Sequence, residues 1–344
     1  MKSIVLTGGG TAGHVIPHFS LLDELKKYYD KIYYIGSCGI EKELALKYGL
    51  EFYEIEVCKL QRSLTLKNLG VPYKLIKSVN SAKKILEKLK PNVLFSKGGY
   101  VGLPVTIASK KLSIPVIIHE SDLTLGLANK IASRFSDYTL TSFYEPSRIK
   151  NGVHVGPPMR KELFEKNRGK ALKKYGFSGE KPVLLVTGGS LGARHLNGLV
   201  LECLDDILKR FDVLHLVGKG NLSNIKRKGY IEVEFSDMQS AYSASDLALS
   251  RAGSNTAFEL IFLGIPALLV PLPKANSRGD QIENAKYFYN LGLCNYVLQE
   301  DLNKDNLVHL LEETYNYRSE YKENLKRSNL KIGNNKIIEI LNKY

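Results

Sequence analysis

Two stretches of the chain end a short apolar run in glycines flanked by a hydroxyl residue: IVLTGGGTAGH at residues 4–14 and VLLVTGGSLGAR at 183–194. A strand that breaks into a glycine turn and then a helix aims free backbone N–H groups at one spot. The helix dipole adds partial positive charge there, so each run suits a phosphate. His14 closes the first run. An imidazole in the first turn of a helix is held neutral and able to accept a proton, unless it only caps or packs the turn. A third glycine-rich turn, SKGGYVGLP at 96–104, is either another anion cradle or the tight turn of a crowded sheet edge.

The densest group of candidates lies in SRAGSNTAFELIFLGIPALLVP, residues 250–271. Ser254, Asn255 and Thr256 place hydroxyl and amide groups where a helix begins, a place for phosphate oxygens. Glu259, one turn further, can accept two hydrogen bonds from ribose hydroxyls or merely favour the helix dipole. Asp280 and Gln281 in KANSRGDQIENA are offered to sugar hydroxyls. No Asp-x-Asp occurs, so no metal-bridged diphosphate is expected, and helix ends with backbone N–H groups must neutralise a leaving group. Gly8, Gly10 and Gly13 also satisfy GxGxxG, the nicotinamide fingerprint, which wants an acid at the end of the second strand. Here that strand ends in Gly36, Ser37 and Cys38, with nothing acidic before Glu41. No dinucleotide or other cofactor is expected.

These residues need elements to hold them. Strand-like runs at 3–7, 31–35, 92–96, 115–119, 138–141, 183–187, 213–217, 246–250 and 267–271 alternate with helix-like stretches at 17–29, 40–48, 127–135, 196–210 and 280–291. Alternation of this kind implies βαβ units and parallel sheets. With 344 residues, two domains are expected, with GPPMR at 156–160 as the linker. The four cysteines (Cys38, Cys58, Cys203, Cys294) are scattered without a CxxC pair, which fits a reducing cytosol. MKSIVL runs straight into the first glycine loop, too short for a signal peptide, and no apolar run reaches transmembrane length. The net charge of +14 is uneven: nine basic residues against Glu87 alone lie between Lys59 and Lys90, interleaved with leucines. Such a segment suits an anionic membrane surface, with a solvated helix face as the plainer reading. Nucleic acid is not expected, because no binding motif or stacking pattern accompanies the charge.

Taken together, GGGTAGHVIP (8–17), KGGYVGLP (97–104), HESD (119–122), GLANK (126–130), GPPMR, GGSLGAR (188–194), RAG…E (251–259) and DQIENA (280–285) resemble, in order and across the whole chain, the MurG family of peptidoglycan glycosyltransferases. The resemblance implies an α/β GT-B fold, two Rossmann-like domains with parallel sheets facing a central cleft. It implies an acceptor and membrane-association domain at 1–158, a donor domain at 159–326 and a helical tail at 327–344 packing back on the first. The implied activity is inverting transfer of N-acetylglucosamine from UDP-N-acetylglucosamine to an undecaprenyl-diphosphate-linked muramoyl-pentapeptide, at the cytoplasmic face of the membrane. Thr11, Ala12 and Gly13 would lie beside the reacting sugar, with His14 as general base. Gly9, Gly10, Gly98 and Gly99 would receive the acceptor's diphosphate. Arg160 and Ser190 would contact the donor's sugar-diphosphate, Ser254, Asn255 and Thr256 its phosphates, Glu259 the ribose, and Gln281 the sugar. Asp122 stands where other members carry asparagine. Its carboxylate accepts hydrogen bonds but cannot donate them, so it either contacts a sugar hydroxyl or competes with His14 as base. Other GT-B outcomes, a 2-epimerase or a diacylglycerol transferase, and a non-catalytic UDP-sugar-binding scaffold are the alternatives.

Overall fold

The computed structural model describes residues 1–57, 71–189, 192–275 and 277–344. The chain divides into two compact units, Met1–Arg160 with Lys331–Tyr344, and Lys161–Leu330. The first holds β1 (Ser3–Thr7), β2 (Lys31–Gly36), β3 (Glu51–Glu54), β4 (Val93–Ser96), β5 (Val116–Glu120), β6 (Tyr138–Thr141) and β7 (Gly152–His154) in one parallel sheet, ordered β3-β2-β1-β4-β5-β6-β7. The second holds β8 (Val183–Thr187), β9 (Asp212–Leu216), β10 (Tyr230–Val233), β11 (Leu247–Ser250), β12 (Ala267–Leu269) and β13 (Asn295–Tyr296), ordered β10-β9-β8-β11-β12-β13. Both are doubly wound Rossmann-like orders.

Helices cover both faces of such a sheet, so its central strands read as unbroken apolar runs. All five residues of β1 and of β8 are buried. Side chains alternate between faces: Ile4 and Leu6 join one core cluster of the first unit, Val5 the other. The former is completed by the C-terminal helix Asn334–Leu341, whose Ile337, Ile338, Ile340 and Leu341 are each at most 7% exposed. Asn334 ties it down by accepting from the Met159 amide at 2.7 Å and donating to the Met159 carbonyl at 2.7 Å.

Local structure departs from the sequence reading in two places that bear on the site. The stretch 17–29 is not one helix: Ile16–Phe19 and Leu22–Leu25 are separate single turns. His14 ends a 3-10 turn, Ala12–His14, ahead of them. It therefore does not sit in a helix's first turn, and a one-turn helix has little dipole to lend it. The glycine-rich run at 96–104, read as a turn, instead opens a 13-residue helix, Gly99–Lys111, that carries Pro104 inside it.

Candidate active site

Ligands of doubly wound sheets bind outside the carboxyl ends of the strands, where strand order reverses. That point lies between β1 and β4 in the first unit and between β8 and β11 in the second. The glycine loops found in the sequence leave these four strands.

In the first unit the loops after β1 and β4 touch. Gly98 and Gly99 are left-handed, with φ of +81° and +74°. A Cβ on Gly98 would collide with the Asn129 side-chain amide, and one on Gly99 would lie 2.5 Å from the Gly9 carbonyl oxygen and 3.3 Å from His14 Nδ1. The helix Gly99–Lys111 has no side-chain cap, so its first amides are open to an anion. Gly10 lies against the Tyr100 ring. Thr11 Oγ1 and His14 Nδ1 are hydrogen-bonded at 3.0 Å, with Thr11 exposed and Ala12, Gly13 and His14 half-buried. Glu41, the acid beyond the second strand, is fully buried against Gly9, where Oε1 accepts from Ser37 N and Ser37 Oγ. It braces the loop from beneath and does not face out as a ribose-binding acid would.

Behind these loops lies a buried polar group that motif reading did not assign. Glu120, 3% exposed, accepts from the amides of Ser121 (2.8 Å), Asp122 (3.0 Å) and Gly126 (3.0 Å) and from Asn129 Nδ2 (3.0 Å). It fixes the loop that carries Asp122, itself half-buried. Burial, and next the Asp122 charge, raise the Glu120 pKa, while its amide donors work against the shift. Its four partners are all N–H donors, so the ionised carboxylate is the form the site accommodates. Lys97, 1% exposed, donates to His119 Nδ1 at 2.5 Å and Ser121 Oγ at 2.7 Å. His119 Nε2 lies 3.3 Å from the Gly156 carbonyl, so the proton is on Nε2 and Nδ1 is free to accept from Lys97. His18 Nε2 likewise donates to the Thr7 carbonyl at 2.9 Å. Burial drives His18 down to about 3 and His119 well below the usual histidine range; nearby Lys97 adds to both shifts. Both rings are neutral at pH 7.

In the second unit the helix Ser254–Phe262 follows Gly253 with no side-chain cap. Ser254 is buried, Asn255 and Thr256 half-buried, so backbone amides and short polar side chains meet at one helix end. Glu259 is half-buried on the same helix, and Tyr242 Oη donates to its Oε2 at 2.8 Å. Gln281 Oε1 accepts from the Leu272 amide at 3.0 Å, which fixes the side chain with Nε2 left as donor. Asp280 is paired with Arg278 through Nε at 3.0 Å and Nη2 at 2.9 Å. Arg251 donates to the carbonyls of Val270 (3.1 Å) and Pro271 (3.4 Å) and to Gln299 Oε1 (2.7 Å), a structural role. Arg160 is half-buried at the end of the first unit's main segment. Ser190 and residues 59–70 of the basic segment lie outside the described residues.

The glycosyltransferase family 28 N-terminal domain matches residues 4–141, and the family 28 C-terminal domain matches residues 183–339. The chain belongs to glycosyltransferase family 28. Family 28 relatives lie close along the full length. The chain is 44% identical over 352 aligned positions to the UDP-N-acetylglucosamine--N-acetylmuramyl-(pentapeptide) pyrophosphoryl-undecaprenol N-acetylglucosamine transferase of Clostridium botulinum (strain 657 / Type Ba4), covering 100% of this chain and 99% of that one. It is 43% identical over 351 positions to the enzyme of the same name from Clostridium tetani, covering 100% and 98%. Among solved structures, Acinetobacter baumannii MurG superposes with a TM-score of 0.76 at 24% identity, covering 100% of both chains, a likeness of fold. As a family 28 member the chain is a glycosyltransferase. Of its candidate residues, the structure brings Gly9, His14 and Gly99 together in one unit and Ser254, Asn255, Thr256 and Glu259 onto one helix of the other. Lys97, Glu120, Asn129 and Tyr242, which hold those groups, went unassigned because only tertiary adjacency reveals them.

Proposed function

We propose that this chain transfers N-acetylglucosamine from UDP-N-acetylglucosamine to the 4-hydroxyl of the muramoyl group of an undecaprenyl-diphosphate-linked muramoyl-pentapeptide, with inversion. The full-length identity of 44% to a transferase of that name carries the reading. The open helix ends at both sheet reversals supply what a diphosphate donor and a diphosphate-linked acceptor need. The muramoyl oxygen attacks the donor's C1 as the C1–O bond to UDP breaks. The hydroxyl proton passes to His14 or to Asp122. Thr11 Oγ1 holds the His14 ring at Nδ1, and in the tautomer that donates Nδ1–H to Thr11 the basic nitrogen is Nε2. Ala12 and Gly13 line the reacting sugar, and Gly9, Gly10, Gly98 and Gly99 the acceptor's diphosphate. UDP leaves onto the amides of Ser254, Asn255 and Thr256, with Arg160 and Ser190 on the sugar-diphosphate, Gln281 on the sugar and Glu259 on the ribose. The helix dipole and fixed N–H groups stabilise the developing charge there.

The acceptor's lipid calls for a membrane surface. No described helix is long and apolar enough to cross a membrane. The helix Val71–Leu89 carries Lys74, Lys77, Lys83, Lys84 and Lys88 beside exposed Tyr73 and Ile76, which suits peripheral docking on anionic lipid at the cytoplasmic face. Labelled UDP-N-acetylglucosamine given with and without lipid-linked acceptor tests the function. Acceptor-dependent label in the lipid fraction is expected. Free epimerised sugar, label on diacylglycerol, or donor binding without turnover would each replace it by one of the alternatives.

A further inference from the structure

Lys97 is a buried cation placed between the two glycine loops of the first unit. Its amide donates to the Thr7 carbonyl at the end of β1 at 2.9 Å, its Cβ lies 3.2 Å from where a Gly8 Cβ would stand, and the next residue is Gly98. Its ammonium is hydrogen-bonded only by neutral groups, His119 Nδ1 and Ser121 Oγ. The carboxylates whose charge reaches it are Glu120 and Asp122, and Glu120 is already taken up by four N–H donors. A buried cation with neutral hydrogen-bond partners carries a desolvation cost that nothing on the protein side repays in full. An anion on the open amides of Gly99 and Tyr100 would repay it.

We propose that Lys97 is a positioning residue for the acceptor: the counter-charge beneath the glycine loops for a diphosphate that binds above it. This rests on the acceptor reading given under the proposed function. Burial lowers Lys97 to about 7, with Glu120 and next Asp122 opposing the shift, so the free site is only partly charged at neutral pH and a bound dianion pulls the proton on. The titratable groups facing it are His18 after the first loop, His119 and Glu120 on β5, and Asp122 beyond. Both histidines are held neutral at pH 7, so neither mimics this titration.

The test uses the full-length enzyme with a short-chain lipid-linked muramoyl-pentapeptide acceptor. In Lys97→Met the acceptor KM should rise on the order of tenfold or more, with donor KM unchanged within about twofold. For the wild type, kcat/KM for acceptor should fall as pH rises above about 7; the Met variant should lose that limb, and Lys97→Arg should keep acceptor affinity at alkaline pH. Calorimetry of acceptor binding at pH 7.5 in two buffers of different ionisation enthalpy should show proton uptake in the wild type and none in Lys97→Met. An unchanged acceptor KM, a defect confined to donor KM, or no proton uptake by the wild type would overturn the proposal. Since Met leaves His119 Nδ1 and Ser121 Oγ without their donor, Lys97→Arg carries the test should the Met variant unfold, and loss of its acceptor affinity at alkaline pH would overturn the proposal equally. Wild-type protein that never turns over acceptor would instead sink the functional reading beneath it.

Discussion

Glu120→Gln removes one charge and changes no shape, which isolates what the buried carboxylate does. Oε1 accepts from the Ser121 and Asp122 amides at 2.8 and 3.0 Å, and Oε2 from the Gly126 amide and Asn129 Nδ2, both at 3.0 Å. A glutamine keeps one oxygen and replaces the other by an NH2. Either rotamer therefore points N–H at two N–H donors, so a flip rescues nothing. Two hydrogen bonds to a charged acceptor are lost, at about 1.5–3 kcal/mol each. Against that, the variant no longer buries a charge, and the raised Glu120 pKa says that burial is costly. With that relief set against the two lost bonds, the first unit should lose about 2–4 kcal/mol. Urea unfolding measured through the first unit would read this as a lower midpoint with unchanged slope. The loop carrying Asp122 should also loosen, so kcat should fall more than donor KM rises. A variant within about 0.5 kcal/mol of wild type would refute the reasoning, because the carboxylate would then not be anchoring that loop.

Four further outcomes are expected. His14→Ala should lose about 10²–10⁴ in kcat with little change in donor affinity if His14 is the base; if turnover survives there and collapses in Asp122→Asn, the proton goes to Asp122. Tyr242→Phe leaves the Glu259 carboxylate without its 2.8 Å donor and should raise the donor KM about five- to twentyfold, with Glu259→Ala worse; equal KM values by titration of UDP-N-acetylglucosamine would remove Glu259 from the ribose. His18 titrates at about 3 in the fold, held neutral by burial, against 6.5 when unfolded. The unfolded chain therefore binds the extra proton, and stability present above pH 6.5 is lost as pH falls toward 3, by up to about 5 kcal/mol; His18→Gln should flatten that acid limb in urea titrations run at several pH values. Ile337→Ala, in the C-terminal helix that completes the first core, should cost about 2–5 kcal/mol, and a shift below 1 kcal/mol would mean that the helix is dispensable there.

Every interior strand of the two described sheets could be read from the sequence, since a strand covered on both faces must be largely apolar. β3, β7, β10 and β13 were not, and each is the terminal strand of its sheet. Edge strands are half exposed, as the mostly intermediate burial of Gly152–His154 and Asn295–Tyr296 shows, so they leave no continuous apolar run. The helix Gly99–Lys111 was hidden for a different reason: Gly98, Gly99, Gly102 and Pro104 are turn residues by propensity, and here close loop packing overrides propensity. The candidate site residues His14, Ser254 and Glu259 could be picked out because each follows a motif. Their buried supports could not, because they are neighbours only across strands and helices. Lys97 meets His119 only because β4 pairs with β5, and Tyr242 reaches Glu259 across 17 residues. Spacing along the chain carries no trace of either.

The central claim is inverting transfer to a lipid-linked muramoyl acceptor, and the anomeric configuration of the product tests it most directly. Product made by the purified protein from α-linked UDP-N-acetylglucosamine and the lipid-linked acceptor should show, by NMR, a β bond from N-acetylglucosamine to the muramoyl 4-oxygen. An α bond, a glycosylated glycerolipid, or no disaccharide at all would contradict it.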